Sequence, residues 1–163
     1  MILTAHNGWV VSDGCERYLD IARRFRDAAA DPIHALYRRG FISTSSVVAR
    51  RDAVLAAGGF DETLRTGQDF DLWLKMLGRP NAIYEVFEDS LTRYYVSSSG
   101  ITGNRLRRLD NTLTIAVRHA PRLRRYTGHW VASFVFRVVA IHAEAVVGLW
   151  KAGQRGDSIR TLL

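Results

Sequence analysis

"FISTSSVVARRDAVLAAGGFDETLRTGQDFDLWLKML", residues 41 to 77, is where the chain shows its organisation. Hydroxyl-bearing residues lead into an apolar run from Val47 to Ala49, which predicts a strand. Asp52 is placed to start a short helix, and Gly58-Gly59 to stop it, because glycine accepts the left-handed conformation at a helix end. A second helix is predicted from about Gln68 to Leu77, with Leu72, Trp73 and Met76 on its inner face and "GRPN" breaking it. Thr66, Gly67, Gln68 and Asp69 match a capping box, in which Thr66 caps the helix and Asp69 reaches back to it. An acid in the first turn also suits the helix dipole. Asp71, two residues from Asp69, lies far round the helix and is not expected to do chemistry.

Working outward, "ILTAHNGWVVSDG" predicts two short extended pieces with "HNG" and "SDG" as turns. From Glu16 to Arg39 the pattern is helical: Tyr18, Ile21, Ala22 and Phe25 share a face, and Pro32 starts a second short helix. Residues 83 to 87 and 91 to 96 predict two strands joined by the acidic turn "EDS". "SSSGITGN" is a loop by composition. Beyond Asn104 the chain becomes helical and basic, with Arg105, Arg107, Arg108, Arg118, Arg122, Arg124 and Arg125 facing only Asp110 before residue 126. A soft boundary near residue 103 divides an α/β part, residues 1 to 103, from a helical tail, residues 104 to 163.

In the tail, "WVASFVFRVVAIHAEAVVGLW" is about long enough to cross a bilayer. Arg137 and Glu144 are seven apart and share a stripe with Ser133 and Lys151, so the helix is amphipathic. Burial of its apolar side against this domain or a partner is the plain expectation. The alternative is an interfacial helix lying on a membrane, aided by the preceding arginines and by Trp130 and Trp150.

The 163 residues suffice for one domain with a real core, and the 47% hydrophobic and 24% charged content is that of a soluble globular protein. The net charge of +7 is carried almost entirely by arginine, Lys75 and Lys151 being the only lysines. No nucleic-acid motif or interleaved stacking surface accompanies it, so nucleic acid is not an expected partner. Cys15 is the sole cysteine, which excludes an internal disulfide and a cysteine-based metal site and fits a reducing compartment. No secretory pattern opens the chain. His6, His34, His119, His129 and His142 show no paired ligand spacing, and each is expected as a surface or satisfied core histidine.

The ordered set of Ser43 to Ser46, Arg50-Arg51, "GGFDE" at 58 to 62 and "QDFDLW" at 68 to 73 resembles the acceptor half of family 2 glycosyltransferases. "DSLTRYYVSSSGIT" resembles the segment that follows in that family, so the likeness covers about residues 2 to 103. It implies a partial GT-A fold: an α/β fragment with a few strands of a mixed sheet flanked by helices, followed by the helical extension. It also implies sugar transfer, with inversion, from a nucleotide-sugar donor to a saccharide or lipid-linked acceptor such as a cell-envelope polysaccharide.

The family's catalytic base is the second residue of a Glu-Asp pair, which falls on Asp69. Gln68, Asp61, Trp73, Ser45 and Ser46 are the implied acceptor contacts, though Trp73 also has a plain core reading. Asp61 and Glu62 also serve to shape the turn after Phe60.

The pattern departs from the family in three places. Gln68 stands where the pair has its Glu. The usual arginine and histidine of the following segment fall on Tyr95 and Ser97, so their contacts with diphosphate and metal do not carry over. The family's N-terminal half, whose Asp-x-Asp holds Mg²⁺ or Mn²⁺ on the diphosphate, has no counterpart here, and "SDG" at 12 to 14 carries one acid. The chain is therefore expected to bind no metal itself and to be inactive in transfer without a nucleotide-binding half. It is expected in the cytoplasm, either free or at the inner face of the membrane, with self-association through an exposed sheet edge or the C-terminal helix as an option. The alternative function is a docking module, for a membrane or a partner, built on the same scaffold.

Overall fold

In the computed structural model, residues 1–12, 14–28, 31–96, 105–124 and 129–161 are described. They form a mixed α/β structure, about 55% helical, with a four-stranded sheet. The elements run β1 (Leu3–Ser12), β2 (Cys15–Leu19), α1 (Ile21–Asp27), α2 (Pro32–Arg39), β3 (Val47–Ala49), α3 (Arg51–Ala56), α4 (Gln68–Leu77), β4 (Tyr84–Tyr95), α5 (Arg105–Leu123), α6 (Trp130–Lys151) and α7 (Arg155–Arg160). A 3₁₀ turn at Thr44–Ser46 precedes β3.

β1 is the centre of the sheet. Its first half pairs antiparallel with β3 and its second half antiparallel with β2, while β4 runs parallel along its other side. "HNG" is therefore not a turn. Asn7 is buried and works as a pin: its Oδ1 accepts from Ala22 N (2.9 Å), and its Nδ2 donates to Tyr18 Oη (2.9 Å) and Glu88 O (3.1 Å). Gly8 is there for close approach, since a Cβ would lie 2.8 Å from the Thr92 carbonyl oxygen.

The "EDS" turn is corrected in the same way. β4 is one strand whose register against β1 shifts on either side of Asn7, so Glu88 and Asp89 bulge out without reversing the chain. "SDG" does join β1 to β2, and Gly14 has φ 75°. The helical reading from Glu16 fails at its start, because Cys15–Leu19 is a strand whose Tyr18 rests on Trp9 at 5.0 Å between ring centroids. The helix begins at Ile21, where Asp20 accepts from Arg23 N (3.0 Å), and it buries Ile21, Ala22 and Phe25. The 97–104 loop lies outside the described residues.

α3 ends before Gly58 (φ 91°) and Gly59 (φ 69°), and α4 spans the predicted residues. The core joins Leu3 and Ala5 of β1 and the inner faces of α1, α2 and α4 to Ile115, Ala116 and Leu123 of α5 and Ile141 of α6. Residues on both sides of position 103 thus share it. Each fully buried side chain of this size contributes about 1.5–3 kcal/mol by leaving water.

α6 turns the opposite way from its expected packing within the domain. Ser133, Arg137, Ile141, Ala145 and Leu149 form the buried stripe, while Val131, Val135, Phe136, Val139, Val147 and Trp150 are exposed. The cause is the polar partners inside. Arg137 donates to Arg38 O (3.1 Å) and lies over the Phe70 ring at 5.0 Å, and Ser133 is hydrogen-bonded to His34.

Candidate functional site

The start of α4 fixes the site. Gly67 is its N-cap, in the left-handed conformation at φ 76°, and no side chain caps the helix. The capping box is thus overturned. Thr66 is buried and turned toward α5, where the Asn111 amide oxygen, in the orientation that satisfies both ends of the amide, accepts from Thr66 N (2.9 Å) and Arg65 N (3.0 Å). A side chain at position 67 would meet Ile115 Cδ1 at 3.0 Å as well as an unfavourable φ, so glycine is what lets the chain turn into α4 here.

Asp69 is thereby released from reaching back. Its Oδ1 accepts from Phe70 N (2.8 Å), and its Oδ2 accepts the Thr44 hydroxyl from the 3₁₀ turn. It lies in the wall of a groove of about 510 Å³ lined also by Thr44, Phe60, Asp61, Glu62, Leu64, Gln68 and Tyr94. Phe60 and Tyr94 are exposed there, and Phe60 rests edge-on against buried Trp73 at 6.4 Å.

Asp61 is held by Thr63, whose hydroxyl donates at 2.6 Å and whose backbone amide donates at 2.9 Å, and by Arg118 Nη1 at 2.7 Å. These bonds, the Thr63 hydroxyl first, push its carboxyl down to about 2.

Asp71 faces the other way, into the α4–α5 contact, with no exposed surface. It accepts from His119 Nε2 (2.8 Å) and Arg118 Nη1 (3.1 Å) and pairs with Lys75 Nζ (2.6 Å). Burial alone would raise its carboxyl, but the His119 bond and the Lys75 charge outweigh burial and hold it well below the usual carboxylate range. Burial pushes His119 down, against the pull of Asp71, so the imidazole is neutral and donates its Nε2 proton. Arg118 bridges the two acids, tying the turn after Phe60 to α4 through α5.

Of the residues singled out from sequence, Asp69, Gln68 and Asp61 come together in the groove. Trp73, Ser45 and Ser46 do not line it. Trp73 is core. Ser46 is buried with its hydroxyl on Ser43 O (2.7 Å), and Ser45 is exposed, with its carbonyl accepting from Thr92 (3.0 Å). The hydroxyl that meets Asp69 is Thr44, inside the quoted run but not singled out. Phe60, Tyr94 and Arg118 were also missed, and for Arg118 no local signal existed, since it is 57 residues from Asp61. Ser97 lies outside the described residues.

The donor set does not suit a divalent cation: Asp61 is already engaged by Thr63 and Arg118, and no cluster of three metal-ligating side chains occurs among the described residues. No family model matches the chain, and neither a curated protein nor a solved structure is significantly similar to it.

Proposed function

We propose that the groove is the acceptor side of a sugar-transfer site of the family 2 glycosyltransferase type, on a partial GT-A fold, with Asp69 as general base. The observation that carries this is the placement of the Asp69 carboxylate: it lies in the groove wall, with one oxygen on its own helix and the other on a hydroxyl side chain. A saccharide presents an apolar C–H face, which Phe60 and Tyr94 can stack, and hydroxyls, which carboxylates and Gln68 can hydrogen-bond. The ordered motifs from Ser43 to Trp73 support the same reading.

In the reaction an acceptor hydroxyl takes the position of the Thr44 hydroxyl against Asp69 Oδ2. As its oxygen bonds to the anomeric carbon, its proton passes to Asp69. The bond from that carbon to phosphate breaks on the opposite face, and the electron pair leaves with the nucleoside diphosphate, inverting the centre. Mg²⁺ or Mn²⁺ would stabilise the departing diphosphate in a complete enzyme; no residue of this groove is assigned to it.

The test is a transfer assay in a form of the protein that carries a nucleotide-binding half. Asp69→Asn lowers transfer by about 10²–10⁴-fold, the usual share of a general base, while nucleotide-sugar binding is unchanged. Transfer retained in that variant removes Asp69 as the base.

A further inference from the structure

The outward face of α6 carries no charge. Val131, Ala132, Val135, Phe136, Val139, Ala143, Val147 and Trp150 are exposed in succession along it, from 37% at Phe136 to 61% at Val139. Of the 22 residues of α6 only Ser133, Arg137, Ile141, Ala145 and Leu149 are buried, a pattern that a core helix does not show.

A basic groove of about 540 Å³ between α5 and α6 adjoins this face, sharing Ala143 and Val147 with it. Arg105, Arg108 and Lys151 line the groove against one acid, Glu144, and none of the three cations forms an ion pair among the described residues. At the C-terminal end of the helix Trp150 is exposed and lies under Arg155 (5.1 Å), whereas Trp130 is half-buried against the core. Apolar face, an exposed terminal tryptophan and adjacent cations are the three components of an interfacial helix.

We propose that α6 docks this protein flat on an anionic bilayer, with the Arg105–Arg108–Lys151 groove taking a headgroup phosphate. Spanning is disfavoured, because the inner stripe is committed: Arg137 holds Arg38 O and the Phe70 ring, and insertion would strip those contacts and take a cation into hydrocarbon. A second copy would offer the face the same positive rim, whereas an anionic leaflet complements it. This inference is independent of the role given to Asp69.

Flotation of the 163-residue chain with phosphatidylcholine vesicles, and with vesicles of equal parts phosphatidylcholine and phosphatidylglycerol, tests it. Binding is expected to the anionic vesicles, to fall with added salt, and to be accompanied by a blue shift that disappears in Trp150→Phe. Replacing Arg105, Arg108 and Lys151 together by Gln should weaken partitioning roughly a hundredfold. Val135→Asp with Val139→Asp, both on exposed positions, should abolish it without changing the circular dichroism spectrum. Three outcomes overturn the proposal: no flotation, equal binding to neutral vesicles, or a lipid-free dimer that the Val135/Val139 variant dissociates. The last would assign the face to a second copy.

Discussion

Asp71→Ala should be strongly destabilising for a truncation that removes only a polar group from α4. The carboxylate is fully buried and is shared by His119, Lys75 and Arg118, so its removal leaves two cations and an imidazole N–H facing a space that offers them nothing. Breaking a buried pair from one side costs about 3–5 kcal/mol. Lys75 and Arg118 keep 19% and 34% of their side chains exposed and can turn partly to water, which places the cost near the lower end, about 3 kcal/mol. With an m-value of about 2 kcal/mol/M in urea, the midpoint falls by about 1.5 M. Asp71→Asn keeps an acceptor but loses the charge, and should fall between the variant and wild type. Asp61→Ala, which removes the half-buried partner of the same Arg118 at the edge of the network, should lower the midpoint less than Asp71→Ala. Equilibrium unfolding by circular dichroism reads all three. If Asp71→Ala moves the midpoint no further than Asp61→Ala, the buried network is not what joins α4 to α5.

Two further outcomes follow from the same contacts. Stability should decline on acidification in two stages. Burial depresses His119 and His34 in the fold, so below their ordinary value of 6.5 the unfolded chain takes the proton first, and Asp71 adds a second loss below 3.8; urea midpoints measured against pH should show a smaller first stage in His119→Gln and lose it when His34→Gln is added. Gly8→Ala should destabilise by about 1–3 kcal/mol, because the new methyl meets the Thr92 backbone oxygen, whereas Gly148→Ala meets only the mobile end of Arg105 and should stabilise by up to about 1 kcal/mol; thermal melts of the pair check both signs.

The helices from Arg51 onward were legible because their signals are local: glycine stops, apolar periodicity and a breaker after Leu77. The strands were misread wherever a side chain had a distant partner. Asn7 and Gly8 have turn chemistry, yet they serve Ala22, Glu88 and Thr92, up to 84 residues away in sequence. The capping box failed for the same reason, since Thr66 answers to Asn111. For α6 the polar stripe was visible but its direction was not, because His34, Arg38 and Phe70, which draw it inward, lie on other elements. The place of Asp69 at the start of α4 was legible, and Thr44 beside it was not, because no spacing rule links the two.

Titrating the ¹⁵N-labelled chain with neutral oligosaccharides, and mapping amide shifts, is the most direct test of the acceptor site proposed for the groove. Shifts are expected at Thr44, at Phe60 to Leu64, at Gln68 and Asp69 and at Tyr94, with Phe60→Ala weakening them and Asp71 and His119 unmoved. Shifts confined to other surfaces, or unchanged in Phe60→Ala, would contradict the assignment of this groove to a sugar acceptor.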